Sequence, residues 1–481
     1  MNYRMMGKFI AQTLLVEAVF MLPAAFISLG YGEYNSMWSF WATIVIAILI
    51  SLGLRFLCKG APSAFYAKEG LVCVGLSWII LSFVGCLPFW LSGEIPLLID
   101  AFFEIVSGFT TTGSSILTEV ESMSKGMLYW RSFSHWLGGM GVLVFLLAFT
   151  GEKGSGFTMH LLRAESPGPN VGKLVPKMRS TATILYLIYI GLTIINVIFL
   201  LLGGMTPFEA VCHAFGTAGT GGFGIKNDSF ASYSPYLQNV TTMFMLLFGI
   251  NFNCYYLLLM GHFKSIFKDG ELRLYLGIVL ASILAVALNI RELYGSWGEC
   301  FRHSAFQVGS IITTTGYAST DFDLWPSFSK AILMCLMVVG ACAGSTGGGL
   351  KVARMMLLFK SLRRNIRKTL NPKKVQVIRN NGNVVSEQVV ENANAYLSAY
   401  VIIIFLSFMI ISLDGFSIAT NFTAVLACFN NIGPGFAAVG PTCNFSGFSA
   451  FSKIVLCLDM LLGRLEIFPI LVLASRSTWK R

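Results

Sequence analysis

Four short segments carry the residue types that could do chemistry in this chain: Thr110-Thr111-Thr112-Gly113-Ser114, Gly219-Thr220-Gly221-Gly222, Thr313-Thr314-Thr315-Gly316-Tyr317 and Asn430-Asn431-Ile432-Gly433-Pro434. With Gly113, Gly221, Gly316 and Gly433 aligned, they recur at intervals of roughly one hundred residues, each after a stretch long enough for a helix of about ten residues. The chemistry they suit is coordination by the main chain. Glycine tolerates the positive φ that turns successive carbonyls to one side, and four such turns around one axis make a ring of oxygens that can replace the water shell of a cation. The helix before each turn adds a partial negative charge at its C-terminal end, aimed at the same axis. One such turn alone reads more readily as a helix cap; four at regular spacing favour a shared site.

The elements that must position these turns are membrane spans. The chain has 481 residues, of which 55% are hydrophobic and only 12% charged, too little charge for a soluble surface. Apolar runs long enough to cross about 30 Å of hydrocarbon are expected near Phe9–Leu29, Met37–Leu57, Leu71–Leu91, Met127–Phe149, Thr183–Leu202, Leu237–Met260, Leu272–Ile290, Pro326–Leu358, Tyr396–Leu413 and Phe448–Ala474. Most Lys and Arg fall in segments 1–8, 55–69, 151–181, 262–273, 351–379 and 463–481, so by the positive-inside rule these are cytoplasmic and the four turns lie outside. Binding of nucleic acid is a poor account of the net charge of +11, because the basic segments are short loops between spans.

The expected architecture is an all-α polytopic membrane protein of four tandem membrane-pore-membrane repeats around one pseudo-fourfold pore. Residues 1–69 form a two-helix N-terminal addition, followed by repeats at 70–150, 182–262, 272–362 and 395–481, with a cytoplasmic basic loop at 363–394. In each repeat the stretch before the turn is too short to cross and should dip in and return, as non-helical backbone does where it is buried in protein or lines a wet path. The third repeat carries five glycines between 340 and 349, each worth about 1 kcal/mol against helix relative to Ala, so an irregular intramembrane loop is expected there.

Several side chains invite a role. Arg464, in an apolar run with Asp459 and Glu466, would face a wet cavity and raise a barrier to cations, or else pair with one of those acids. Glu104 and Glu209 on the dipping stretches could draw cations to the mouth or act as hydrogen-bonded structural carboxylates. Gly344 to Lys351 superficially resembles a phosphate loop, but Leu350 separates the last glycine from the lysine and no Ser or Thr follows. The five histidines show no metal spacing, and the eleven cysteines contain no C-x-x-C pair and read as small core residues.

TTTGSS, GTGGFG, TTTGYA, NNIGPG, the stretch Trp130 to Gly141, the break at 340–349 and Leu462-Gly463-Arg464-Leu465-Glu466 together resemble the Trk/Ktr/HKT superfamily of potassium transporters over nearly the whole chain, and the two extra N-terminal spans bring it nearest the TrkH-like branch. The resemblance implies a selectivity filter for K+ at Thr111, Thr112, Gly113, Thr220, Gly221, Thr315, Gly316, Ile432 and Gly433, with glycine at 113 favouring potassium over sodium. It implies gating by Gly344, Ser345, Thr346, Gly347, Gly348 and Gly349, with Arg464 protruding into the path below the filter. It further implies no organic cofactor, a homodimer in the bacterial cytoplasmic membrane, and a cytoplasmic TrkA-type nucleotide-binding regulatory ring, for which the basic segments 151–181 and 351–379 could serve as docking surfaces or as lipid headgroup contacts. The fourth turn departs most from the family pattern. A symporter coupled to H+ or Na+, using intramembrane acids such as Asp459, is the second reading; a membrane enzyme finds no converging cluster of acids or histidines.

Overall fold

The computed structural model describes residues 1–60, 67–141, 178–373 and 376–479. The basic segment 151–181 (apart from its last four residues), the end of the Met127–Phe149 span and His160 lie outside the described residues. Among the described residues the fold is helical, apart from a small hairpin that pairs Arg379–Asn380 with Asn383–Val384. Two N-terminal helices, Tyr3–Gly30 and Tyr34–Leu57, lie against each other and against the first repeat. Glu33 and Glu94 fix them there: the Glu33 carboxylate accepts the N–H groups of Lys125 and Gly126 at 2.7 and 3.2 Å, while Glu94 accepts the Ser36 hydroxyl and the Ser124 N–H.

Among the described residues six helices are long and apolar enough to cross a membrane: Tyr3–Gly30, Tyr34–Leu57, Lys68–Leu91, Ala182–Leu202, Gly270–Asn289 and Glu387–Asp414. The last four open the four repeats. After each comes a shorter helix, Leu98–Phe109, Pro207–Gly219, Trp297–Ile312 or Ile418–Phe429. Three of these start on a hydroxyl cap, from Thr206, Ser296 or Ser417, and acids stand in the first turns at Asp100, Glu209 and Glu299, as a helix N-terminus prefers. Glu209 completes a capping box with Thr206, so its role is structural.

The closing helices differ from the continuous spans expected. Pro235–Phe248 and Phe252–Leu259 meet at 90°, because Gly249 and Asn251 end one helix and start the next, Asn251 accepting the N–H of Asn253. Ala450–Arg464 and Phe468–Ala474 are separated by Leu465 to Ile467, where Glu466 and Ile467 take φ of 56° and 67°. Ser327–Val339 and Val352–Leu370 flank the expected irregular loop, and Lys125–Gly139 ends at Met140. All four closing helices therefore end or break within the runs expected to be continuous. There the ends of the short helices crowd them: a Cβ on Gly138 would stand 1.9 Å from the Phe109 carbonyl oxygen, and one on Gly463 would stand 1.8 Å from that of Phe429.

Glu104 is fully buried on the first short helix. It accepts Arg131 Nε at 2.6 Å, the Ser115 hydroxyl and the Ile116 N–H, which makes it a structural carboxylate with no charge left to draw cations. Arg131 spans to the second repeat, donating to the Gly224 carbonyl at 2.8 Å and lying 3.7 Å over the Phe223 ring. All eleven cysteines are unpaired thiols. Removing one partner of a buried pair leaves an uncompensated charge worth about 3–5 kcal/mol. Arg131→Met should therefore lower the thermal unfolding midpoint in detergent strongly, and Glu104→Gln in the same chain should recover most of the loss; a single variant as stable as the parent would contradict this packing.

Candidate ion pathway

The ends of the four short helices repeat one backbone pattern. The N–H groups of Thr112, Gly221, Thr315 and Ile432 donate to the carbonyls of Ser107, Gly216, Ser310 and Ala427 at 2.8 to 2.9 Å. Those of Thr111, Thr220, Thr314 and Asn431 donate to Gly108, Thr217, Ile311 and Cys428 at 3.1 to 3.2 Å. These four residues all lie in the left-handed region, with φ of 56°, 53°, 60° and 55°. Two residues later stand Gly113, Gly222, Gly316 and Gly433, with φ of 82°, 75°, 84° and 100°. The second turn is thus shifted by one from the spacing expected: Gly222 holds the place of Gly113, and Gly221 that of Thr112, Thr315 and Ile432.

The same glycines close a ring. A Cβ on Gly113 would meet the Gly221 oxygen at 2.1 Å, on Gly222 the Thr315 oxygen at 1.9 Å, on Gly316 the Ile432 oxygen at 2.0 Å, and on Gly433 the Thr112 oxygen at 2.9 Å. Each turn presses on the carbonyl of the next, and the fourth returns to the first. Gly113, Gly222, Gly316 and Gly433 all line one hollow that opens above the ring.

Side chains behind the turns hold them in place. Thr110 and Thr313 each donate back into their helix at 2.6 Å and meet Thr112 and Thr315 at 2.8 Å. In the fourth turn Asn430 exchanges hydrogen bonds with the Tyr400 hydroxyl, and Asn431 donates to Thr112 Oγ1 and the Met460 carbonyl, both at 2.9 Å. Sequence reading missed His135. Its Nε2 accepts the Phe223 N–H at 3.2 Å, which leaves the proton on Nδ1 to donate to the Gly108 carbonyl at 2.8 Å, so one buried imidazole ties the first turn to the second. Trp130 and Trp136 anchor the same helix on Gly85 and Thr193.

On the other side of the ring lies the irregular loop. Gly344 to Gly349 fold back against the third and fourth turns: Gly348 donates to Thr314 Oγ1 at 2.6 Å, and Cβ atoms on Gly347 and Gly348 would reach the Thr313 and Asn430 oxygens at 2.9 and 2.3 Å. Ser345 donates within the loop to Cys342, and Thr346 donates to the Phe248 carbonyl. The bend at Gly249 to Asn251 receives the loop, with Cys342 N–H on the Gly249 carbonyl and Phe252 N–H on the Gly344 carbonyl. Arg464 donates to the carbonyls of Thr346 at 2.8 Å, Gly139 at 2.7 Å and Gly138, joining the fourth repeat to the loop and the first repeat. Glu466 pairs instead with Arg354 at 2.8 Å, and Asp459 accepts the Ser407 hydroxyl. Lys351, buried, donates to the Gly347 carbonyl, so the phosphate-loop likeness ends in an internal bond. Among the described residues no group of three or more His, Cys, Asp or Glu converges as a metal site.

A Cβ at a left-handed glycine is strained, and at Gly222 it also strikes a backbone oxygen that cannot step aside. Gly222→Ala should therefore lower the unfolding midpoint sharply. Gly191→Ala, where the added carbon meets nothing within 4 Å, should not; equal effects would argue against the ring.

Residues 37–480 match TrkH, described as a cation transport protein family. The chain is 33% identical to the Trk system potassium uptake protein TrkH of Escherichia coli (strain K12) over 486 residues, covering 100% of both. It is 32% identical to the Trk system potassium uptake protein TrkG of the same strain, covering 96% of this chain and 95% of that one. The crystal structure of the potassium transporter TrkH from Vibrio parahaemolyticus superimposes with a TM-score of 0.90 at 30% identity, covering 100% of both chains.

Proposed function

The chain belongs to the TrkH family of cation transport proteins, and from that membership we propose that the ring of four turns is a selectivity filter through which potassium enters the cell. It is a multi-pass protein of the bacterial cytoplasmic membrane, and a transporter rather than an enzyme. The observation that carries the filter reading is the closed cycle of contacts from Gly113 to the Gly221 oxygen and onward to Thr112. Carbonyls at Thr111, Thr112 and Gly113, at Thr220, Gly221 and now Gly222, at Thr315 and Gly316, and at Ile432 and Gly433 stand where a dehydrated K+ needs oxygen. Four neutral helix ends supply the field without a fixed charge.

The second part of the proposal is a gate. The tip of the loop and the Arg464 guanidinium sit against the inner side of the ring, so K+ leaving the filter meets a steric plug and a positive charge together. Opening withdraws the loop and with it the carbonyl that Arg464 holds. Control by a cytoplasmic nucleotide-binding ring of the TrkA type, and assembly as a homodimer, complete the proposal. The basic helix Val352–Leu370, which continues directly from the loop, is the element through which such a ring would act. Simple permeation is preferred to coupled symport, because Asp459 is buried within the fourth repeat and accepts the Ser407 hydroxyl there.

The test of the filter is uptake of radiolabelled Rb+ by purified protein in liposomes, with K+ and Na+ as competitors. Gly113→Ser puts a Cβ and a hydroxyl on the Gly221 carbonyl and is expected to reduce the preference for K+ over Na+ by about tenfold or more, which is about 1.4 kcal/mol. Unchanged competition curves would sink the filter reading at the first turn.

A further inference from the structure

The loop beneath the ring has a tip and a neck. The tip, Gly344 to Gly348, makes the contacts with the turns. The neck is where the two ends of the loop run side by side: Val352 N–H donates to the Ala341 carbonyl at 3.0 Å, Leu350 N–H to the Val338 carbonyl at 3.3 Å, and Gly340 and Gly349 touch. Two further neck N–H groups reach a side chain outside the loop. These, of Ala343 and Ala353, both donate to a single oxygen, Oε1 of Glu271, at 2.5 and 3.1 Å. Glu271 is buried, comes from the opening helix Gly270–Asn289, and is separated from the neck by some seventy to eighty residues of chain.

An acid in the first turn of a helix has an ordinary explanation in the helix dipole. Here that need is met elsewhere. Asp269 caps the helix by accepting the Leu272 N–H at 2.9 Å, and Asn381, at the tip of the cytoplasmic hairpin, takes the Gly270 N–H at 3.0 Å while donating to Asp269 at 2.9 Å. The Glu271 carboxylate is thus spent on another segment, across both ends of the loop. We propose that Glu271 is the clasp of the gate: a positioning residue that holds the neck closed and so keeps the tip against the filter, with the hairpin and Asp269 fixing the helix end it projects from. The inference rests on the reading of the loop as a gate.

The energetics have a definite sign. Buried peptide N–H groups in the membrane need acceptors, and a charged oxygen is a strong one. When the neck swings away into a wet cavity, water can take over. The two bonds to Glu271 therefore belong to the closed state alone, and a contact made in one state only shifts the equilibrium toward that state. Deleting it favours opening.

The experiment compares Rb+ influx into liposomes, with no regulatory partner present, for the parent, Glu271→Ala, Glu271→Asp, Glu271→Gln, a deletion of Gly344 to Gly348, and the deletion combined with Glu271→Ala. Glu271→Ala is expected to raise basal influx about tenfold. Glu271→Asp keeps the charge at the helix start but is one methylene short of reaching both N–H groups, and should raise influx in the same direction. Glu271→Gln retains an oxygen that can accept both bonds and should stay within about twofold of the parent. In the deletion background Glu271→Ala should add nothing. Should Glu271→Ala fail to fold, the Asp and Gln variants decide alone. Influx that rises with the deletion but not with Glu271→Ala or Glu271→Asp overturns the clasp and leaves the gate standing; influx unchanged by the deletion overturns the gate itself. A fall in influx with Glu271→Ala in both backgrounds would mean a merely structural role and would also overturn the clasp.

Discussion

Hydrocarbon tolerates neither a bare cation nor a bare peptide group, and on the proposed reading the architecture of this chain turns the second difficulty into the answer to the first. A helix that stops inside the membrane leaves its last carbonyls without intrahelical partners. Four short helices stop there together, at Phe109, Gly219, Ile312 and Phe429, and each chain then turns through a left-handed residue. The two N–H groups that lead each turn are taken up by its own helix, and on the proposed reading its oxygens face the ion, that of Gly433 while also accepting the Ser114 hydroxyl. Surplus oxygen without surplus donor is the composition a stripped alkali ion requires.

Fourfold equivalence holds for the turns and fails beneath them. The first repeat offers the carbonyls of Gly138 and Gly139 to Arg464; the second bends at Gly249 to receive the loop; the third supplies the loop; the fourth supplies Arg464. Each contribution depends on a closing helix being broken at the depth of the ring. Broken helices expose further unpaired carbonyls and N–H groups, and here those groups find one another. On the proposed reading symmetry serves selection, where every oxygen does the same work, and its loss serves regulation, where one moving part needs distinct neighbours.

Much of this was legible in the sequence because the requirement is local. Only glycine sits comfortably at φ near 80° with a carbonyl against its α-carbon, so Gly113, Gly316 and Gly433 announced the turns, as the glycines from 340 to 349 announced the loop. Where two glycines adjoin, as at 221 and 222, residue type does not say which takes the left-handed place, and the spacing chose the wrong one. The bends at Gly249 and at Glu466 were hidden in apolar runs; the first left a signal in the Asn251 cap, the second none, since Glu466 and Ile467 are not residues that favour positive φ. Partnerships at long range were the least legible. Glu104 could be noticed as an acid on a dipping helix, but only the fold brings Arg131, His135 and Phe223 around the same turn.

Arg464 links these observations. A guanidinium at this depth is costly unless its N–H groups are satisfied, and backbone oxygens from two other repeats satisfy it. Those carbonyls, of Thr346, Gly138 and Gly139, tie the end of the fourth repeat's helix to the loop and to the first repeat. Glu466, the nearest acid in sequence, is drawn away to Arg354 by the strained backbone at 466 and 467. On the proposed reading the strain there has a use: it commits Glu466 to the basic helix that continues from the loop.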